Sequence, residues 1–170
     1  IQVQLYATEL LSNIAFYDGL NDWTLVNGSN DGAVNGEAGI NDGLPAFKFT
    51  GNAGQNAVLK QTARTDGLHF GTAATLDATA IYAHDIPAFE FVMKIKVTYR
   101  NGTTQKFTYR ETRTFANLDP DLGYIAWYPL TSSKVAKVQV KIPFSETAGT
   151  LVISYVNVGI NGIAPVRESF

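Results

Sequence analysis

From Phe89 to Tyr99 the odd positions Phe89, Phe91, Met93, Ile95, Val97 and Tyr99 are all apolar, while Glu90, Lys94, Lys96 and Thr98 stand between them. A period of two sustained over that length predicts a β-strand with one buried face. Shorter runs of the same kind lie at 2–7, 23–27, 46–50, 57–62, 79–83, 103–110, 123–128, 135–142 and 151–158. No window of a dozen residues repeats apolar positions at i, i+3, i+4 and i+7 without Gly, Pro or Asn interrupting, so helix is not expected. About ten strands separated by turn residues, with no helices between them, predict an all-β fold, an antiparallel sandwich or barrel.

Turn chemistry refines one hairpin. A two-residue loop at Asn101-Gly102 would set Ile95 opposite Thr108 and mix apolar with polar on both faces. A three-residue loop with Gly102 in the left-handed region sets Ile95 opposite Phe107 and Met93 opposite Tyr109. The second register is predicted. It gathers Lys94, Lys96, Thr98, Thr104, Lys106, Thr108 and Arg110 on the other face, with Lys96 facing Lys106. Val135 to Ile142 repeats the pattern, with Val138, Val140 and Ile142 inward and Lys137, Gln139 and Lys141 outward. The segment 13–43, rich in Asn, Asp and Gly, reads as long loops broken by short strands, a texture associated with binding.

Composition agrees with the strands: 13 Val, 11 Ile, 17 Thr, ten Phe, eight Tyr and two Trp in 170 residues, and no Cys. The missing cysteines exclude thiol chemistry, disulfides and cysteine-ligated metals. No apolar run approaches the roughly 20 residues that span a bilayer, and the first residues lack the basic flank of a signal peptide. Membrane insertion is not expected, and the start at Ile1 reads as a processed or excised chain. The net charge of −2 argues against nucleic acid, but it conceals an asymmetry. Residues 1–93 sum to −7, residues 94–141 to +6 and residues 142–170 to −1. The middle third is therefore a basic sheet face. It is either solvated surface or the dock of an anionic partner, an acidic polysaccharide or the acidic first half of a neighbouring subunit.

Catalytic chemistry finds little support. None of the seven serines sits in Gly-x-Ser-x-Gly, and the only histidines, His69 and His84, lie at no familiar metal spacing. Nothing selects a carboxylate pair. The run Asn117-Leu-Asp119-Pro-Asp121-Leu-Gly123 places three oxygen-bearing side chains at alternate positions, as the first half of a calcium loop does. Its glycine falls one place late and no bidentate Glu follows, so an ordinary turn competes with metal. Trp23 reads as core. Tyr82, His84, Trp127 and Tyr128 are candidate planar platforms for sugar rings, and Lys94, Lys96 and Lys106 are candidates for an acidic ligand.

The stretch Glu9-Leu-Leu-Ser-Asn13, followed by Phe16-Tyr-Asp-Gly-Leu-Asn-Asp-Trp-Thr-Leu-Val-Asn-Gly28, resembles the opening of carbohydrate-binding modules of the family 4, 9 and 22 type. Val138 to Val158 is similar to that family's last two strands. The resemblance implies a galactose-binding-like β-jelly roll over residues 9–160, with 1–8 as a lead-in and 161–170 as a tail. It implies a non-catalytic glycan-binding module, extracellular or on a virion. Such modules serve polysaccharide-degrading enzymes and also occur in phage tail fibres and tailspikes. Polysaccharide or cell-surface glycan, and neighbouring virion subunits, are the partners implied; a purely structural domain is the alternative. The family's structural calcium uses an acid after the first Phe and another in the closing strand, where this chain has Tyr17 and Ser154-Tyr155. No cofactor is therefore expected beyond the calcium considered at Asn117, Asp119 and Asp121.

Overall fold

The computed structural model describes residues 3–27, 35–41, 44–51, 56–65, 74–86, 89–113, 124–145 and 149–165. Among them are eleven strands: β1 (Val3–Glu9), β2 (Thr24–Val26), β3 (Asn35–Asn41), β4 (Leu44–Gly51), β5 (Asn56–Arg64), β6 (Thr75–His84), β7 (Phe89–Tyr99), β8 (Thr104–Arg113), β9 (Tyr124–Pro129), β10 (Val135–Ser145) and β11 (Gly149–Pro165). They form two antiparallel sheets, one in the order β3-β4-β11-β6-β9 with β1 also on β11, the other β2-β5-β10-β7-β8. The all-β sandwich expected from the alternation is the observed architecture.

Burial follows the pleat. On β7 the side chains of Phe91, Met93, Ile95, Val97 and Tyr99 are buried, and on β10 those of Val138, Val140, Ile142 and Phe144. The other sheet answers with Phe47, Phe49, Leu76, Ala78, Ala80, Leu151, Ile153, Val156, Val158 and Ile160. Aromatic rings join the layers: Phe49 stacks on Phe144 with centroids 5.1 Å apart, and Tyr82 on Phe91 at 4.1 Å. Full burial of each such aliphatic or aromatic side chain contributes roughly 1.5–3 kcal/mol.

The β7–β8 hairpin adopts the predicted register, with Met93 opposite Tyr109, Ile95 opposite Phe107 and Lys96 opposite Lys106. Gly102 has φ of 87°, and its N–H donates to the Tyr99 carbonyl at 3.0 Å. The Asn101 side-chain oxygen accepts from Thr103 N at 3.0 Å, which fixes the turn from the other side.

β11 organises the first sheet. One edge pairs with β6 from Leu151 to Asn161. Its other edge takes β4 from Gly149 to Ile153, then Ile14 and Leu10, then β1 from Gly159 to Pro165. The segments expected to flank the sandwich thus contribute Val3–Thr8 and Asn161–Pro165 to this sheet. The reason is an edge: past β4, β11 would otherwise present unpaired backbone groups. β3 was not legible as a strand, because Asn35-Gly-Glu-Ala-Gly-Ile-Asn41 has little alternation; it is held by its pairing with β4.

Between β1 and β2 the chain turns around Asn13. With φ of 49°, Asn13 donates from Nδ2 to the carbonyls of Gly19 (3.1 Å) and Asn21 (2.8 Å) and accepts at Oδ1 from Asp18 N (3.0 Å). Its own carbonyl accepts from the Trp23 indole at 2.9 Å, which fixes Trp23 in the core against Phe16. Asn13→Ala removes three hydrogen bonds, each worth about 1 kcal/mol, and puts Ala, which tolerates the left-handed region less well than Asn, at φ of 49°. A loss of about 2–4 kcal/mol in denaturant unfolding is expected. Asn13→Asp keeps the Oδ1 acceptor but turns a carboxylate oxygen toward the Gly19 and Asn21 carbonyls, so it should recover little of that loss.

Gly102, in the β7–β8 turn, and Gly149, the first residue of β11, separate backbone strain from collision. A Cβ at Gly102 would meet nothing within 4 Å, so Gly102→Ala should cost only the left-handed strain, about 1 kcal/mol. At Gly149, with φ of 127°, a Cβ would lie 2.6 Å from Ile86 Cγ1 and 2.8 Å from Asp85 Oδ1. That Asp85 oxygen accepts from Thr150 N at 2.6 Å and ties β6 to β11. Gly149→Ala should therefore lower the unfolding midpoint clearly more than Gly102→Ala. Equal midpoints would contradict the assignment.

Candidate functional site

Parity decides which residues each sheet shows to solvent. On β6, Leu76, Ala78 and Ala80 are buried, so Thr75, Asp77 and Thr79 face out. Opposite Asp77 on the edge strand β9 lies Trp127, 67% exposed, and on its other side lies Gly159 of β11, itself opposite Glu9 of β1. One row across the sheet therefore reads Glu9, Gly159, Asp77, Trp127. The indole N–H of Trp127 donates to the Asp77 carboxylate, as does the Thr75 hydroxyl. Gly159 leaves the floor of this row open. Asn161 opposite Thr75 and Asn157 opposite Thr79 supply the rows on either side.

Such a patch suits a sugar: a fixed aromatic face for the C–H side of the ring, and carboxylate, hydroxyl and amide groups beside it for the hydroxyls. Burial pushes the Asp77 carboxyl above its ordinary value, and the hydrogen bonds from Thr75 and Trp127 oppose that shift.

The outer face of the second sheet has different chemistry. A trough of about 250 Å³ is lined by Lys94, Lys96, Lys106, Thr108, Gln139 and Lys141, with Ile95 and Phe107 along its floor. Lys94, Lys96 and Lys106, expected on one face, stand together there. Lys141 is opposite Lys94 and also opposite Lys60 of β5, which extends the row.

The other sequence-predicted platforms lie elsewhere. Tyr82 and His84 are each 1% exposed and cannot stack a ligand. The Tyr82 ring lies on Phe91, while His84 Nδ1 accepts from Ile86 N at 3.2 Å and its ring packs against Phe89. Both share the inward parity of Leu76, Ala78 and Ala80, which is the signal that places them in the core. Tyr128 turns inward, half-buried, and stacks on Phe107 at 4.6 Å to close the side where β9 and β8 approach. Asp77 was not anticipated; its parity was readable, but its proximity to Trp127 depends on strand pairing distant in sequence.

Asn117, Asp119, Asp121 and His69 lie outside the described residues. The residues present do not fit the calcium implied by the resemblance. Tyr17 is exposed, Asp18 Oδ2 accepts from Asn21 Nδ2 at 2.7 Å, and the Ser154 hydroxyl donates to the Ile81 carbonyl at 3.3 Å. Among the described residues no group of three acidic, histidine or cysteine side chains is placed to hold a metal.

Comparison with solved structures places this architecture. Over 92% of its length the chain superposes, with a TM-score of 0.65 and 13% identity, on the enzymatically active domain of tailspike protein 4 of bacteriophage CBA120, of which it spans 22%. It matches 95% of the CBM22-1 xylan-binding domain of Paenibacillus barcinonensis Xyn10C, with 94% of its own length, 12% identity and a TM-score of 0.50. It also matches the family 11 carbohydrate-binding module of Clostridium thermocellum, solved with a β-1,3-1,4-mixed-linked tetrasaccharide. There the TM-score is 0.51, the identity 9%, and the coverage 89% of this chain and 95% of that one. The fold is that of carbohydrate-binding modules. No protein-family model matches the sequence, and no curated protein matches it.

Asp77 yields a pH test. Its folded pKa lies above the unfolded value, so the stability it lends is fully present below about pH 3.9 and is lost as pH rises through the folded pKa. Asp77→Asn, which keeps an acceptor for Trp127 and Thr75, should match the wild-type Tm near pH 3 and exceed it at pH 7. A variant less stable at pH 7 than at pH 3, relative to wild type, would contradict this.

Proposed function

We propose that the chain is a non-catalytic glycan-binding domain. The observation that carries this reading is the Trp127–Asp77 pair: an exposed indole held in place by a carboxylate, beside the open floor at Gly159, on a β-sandwich of the carbohydrate-binding type. Exposing a large aromatic side chain is unfavourable for folding, and a hydrogen bond that fixes its plane removes rotamer freedom in advance of a ligand.

The setting we propose is outside the cell, as a recognition domain of a larger assembly. The superposition on part of a phage tailspike favours a fibre or tailspike, with neighbouring virion subunits as further partners. The superposition on xylan- and glucan-binding modules supports the second setting, an accessory domain of a polysaccharide-degrading enzyme. A purely structural domain without a sugar site competes with both.

Screening the purified domain on an array of neutral and acidic glycans tests the reading. Binding should appear and should weaken by about 1–4 kcal/mol in Trp127→Ala with little change in Tm, as truncation of an interface anchor does. An array silent under all conditions would favour the structural domain.

A further inference from the structure

On the sheet opposite the Trp127 patch, six lysines share one surface. Across four adjacent strands the outward positions read Lys60, Lys141, Lys94 and Thr108 in one row, and Thr62, Gln139, Lys96 and Lys106 in the next. Lys137 continues the pattern beyond Gln139. Neighbouring strands are about 4.8 Å apart, so from β5 to β8 the charges extend over about 14 Å. Among the described residues none of these lysines makes an ion pair, whereas on the same face Arg110 is paired with Glu90 at 2.7 Å. Lys94, Lys96, Lys106 and Lys141 line the trough together with Gln139 and Thr108.

We infer that this trough is a second binding site, for a carboxylated polysaccharide lying across the strands. The inference extends the glycan-binding reading to an acidic ligand class on a separate face. Like charges facing one another across strand pairs repel, at Lys96–Lys106 and at Lys141 with both Lys94 and Lys60. A polyanion lying over them converts that repulsion into attraction. The lining also favours a sugar acid over other polyanions. Gln139 and Thr108 offer hydrogen bonds to hydroxyls between the ammonium groups. Ile95 and Phe107 turn their side chains to the core, so no aromatic face is offered on which nucleic-acid bases would stack. A trough also admits a narrow chain better than the broad outer sheet of a second copy, although that sheet carries Asp77 and Glu9.

The test is affinity electrophoresis and calorimetry of the intact chain with polygalacturonate. Neutral galactan, dextran sulfate, double-stranded DNA and poly-glutamate are run beside it. The comparison is made for wild type, Lys94→Gln/Lys96→Gln/Lys106→Gln, the corresponding Lys→Arg triple variant and Trp127→Ala. Polygalacturonate should bind in low salt and weaken about tenfold or more on moving to several-fold higher salt, as a ligand held by several charges does. The Gln variant should lose at least about tenfold in affinity while keeping its Tm, and the Arg variant and Trp127→Ala should retain binding. Four outcomes would overturn the inference. If neutral galactan binds through Trp127 while polygalacturonate does not bind, the glycan-binding reading stands and the acidic site falls. If neither glycan binds, the acidic site falls, and the glycan array decides the glycan-binding reading. Equal binding of DNA, poly-glutamate and polygalacturonate would make the face a non-selective polycation. Low-salt self-association abolished by the Gln variant, without polygalacturonate binding, would assign the trough to a second copy of the chain.

Discussion

The pleat of β7 and β10 is the constraint from which both the core and the surface of this domain follow. Because successive side chains leave a strand on opposite faces, burying Met93, Ile95 and Val97 obliges Lys94 and Lys96 to face solvent. Burying Val138, Val140 and Ile142 does the same for Gln139 and Lys141. A slip of one residue would put lysines in the core and the aliphatic side chains in water. The left-handed turn at Gly102 adds a local check on the same register.

The magnitudes show what the pleat leaves undecided. Each inward residue on β7 contributes roughly 1.5–3 kcal/mol by burial, whereas each like-charge pair on the outer face costs only some tenths of a kcal/mol. The core therefore wins easily, and the lysines persist without stabilising the fold. Thr or Gln at the same positions would serve the strand as well, as Thr62 and Gln139 do within the same surface. The repulsion is thus small enough for the fold to tolerate, and what the lysines contribute lies outside the fold, in solubility at an open sheet or, on the inference above, in an anionic ligand.

Much of this architecture was legible in the chain because alternation and turn chemistry are local. The hairpin register, the inward faces of β7 and β10 and the core position of Trp23 could be read from residues a few places apart. What escaped depended on strand neighbours distant in sequence. β3 is a strand because β4 offers it an edge, not because Gly36 and Gly39 favour extension. Tyr82 and His84 attract attention as planar polar residues, yet the parity running from Leu76 through Ala80 carries them inward, and Ile81 and Ala83 on the other face blur that parity. Asp77 becomes part of a candidate site only when β6 pairs with β9, and Lys60 joins the basic row only when β5 pairs with β10.

The two outer faces are also held apart by what lies between them. Sheets of a sandwich pack about 10 Å apart, so the Trp127 platform and the lysine trough look in opposite directions and no single short ligand reaches both. Their charges differ as well, with Asp77 beside the indole, Glu9 at the far end of the same row and lysines along the trough. On the proposed reading, the carboxylates in the Trp127 row disfavour the acidic polymer that the trough attracts, while the trough, lacking an exposed ring, gives a neutral sugar little apolar surface. Discrimination then rests on repulsion at one face as much as on attraction at the other. The sandwich supplies the separation that lets one small domain present both chemistries without either neutralising the other.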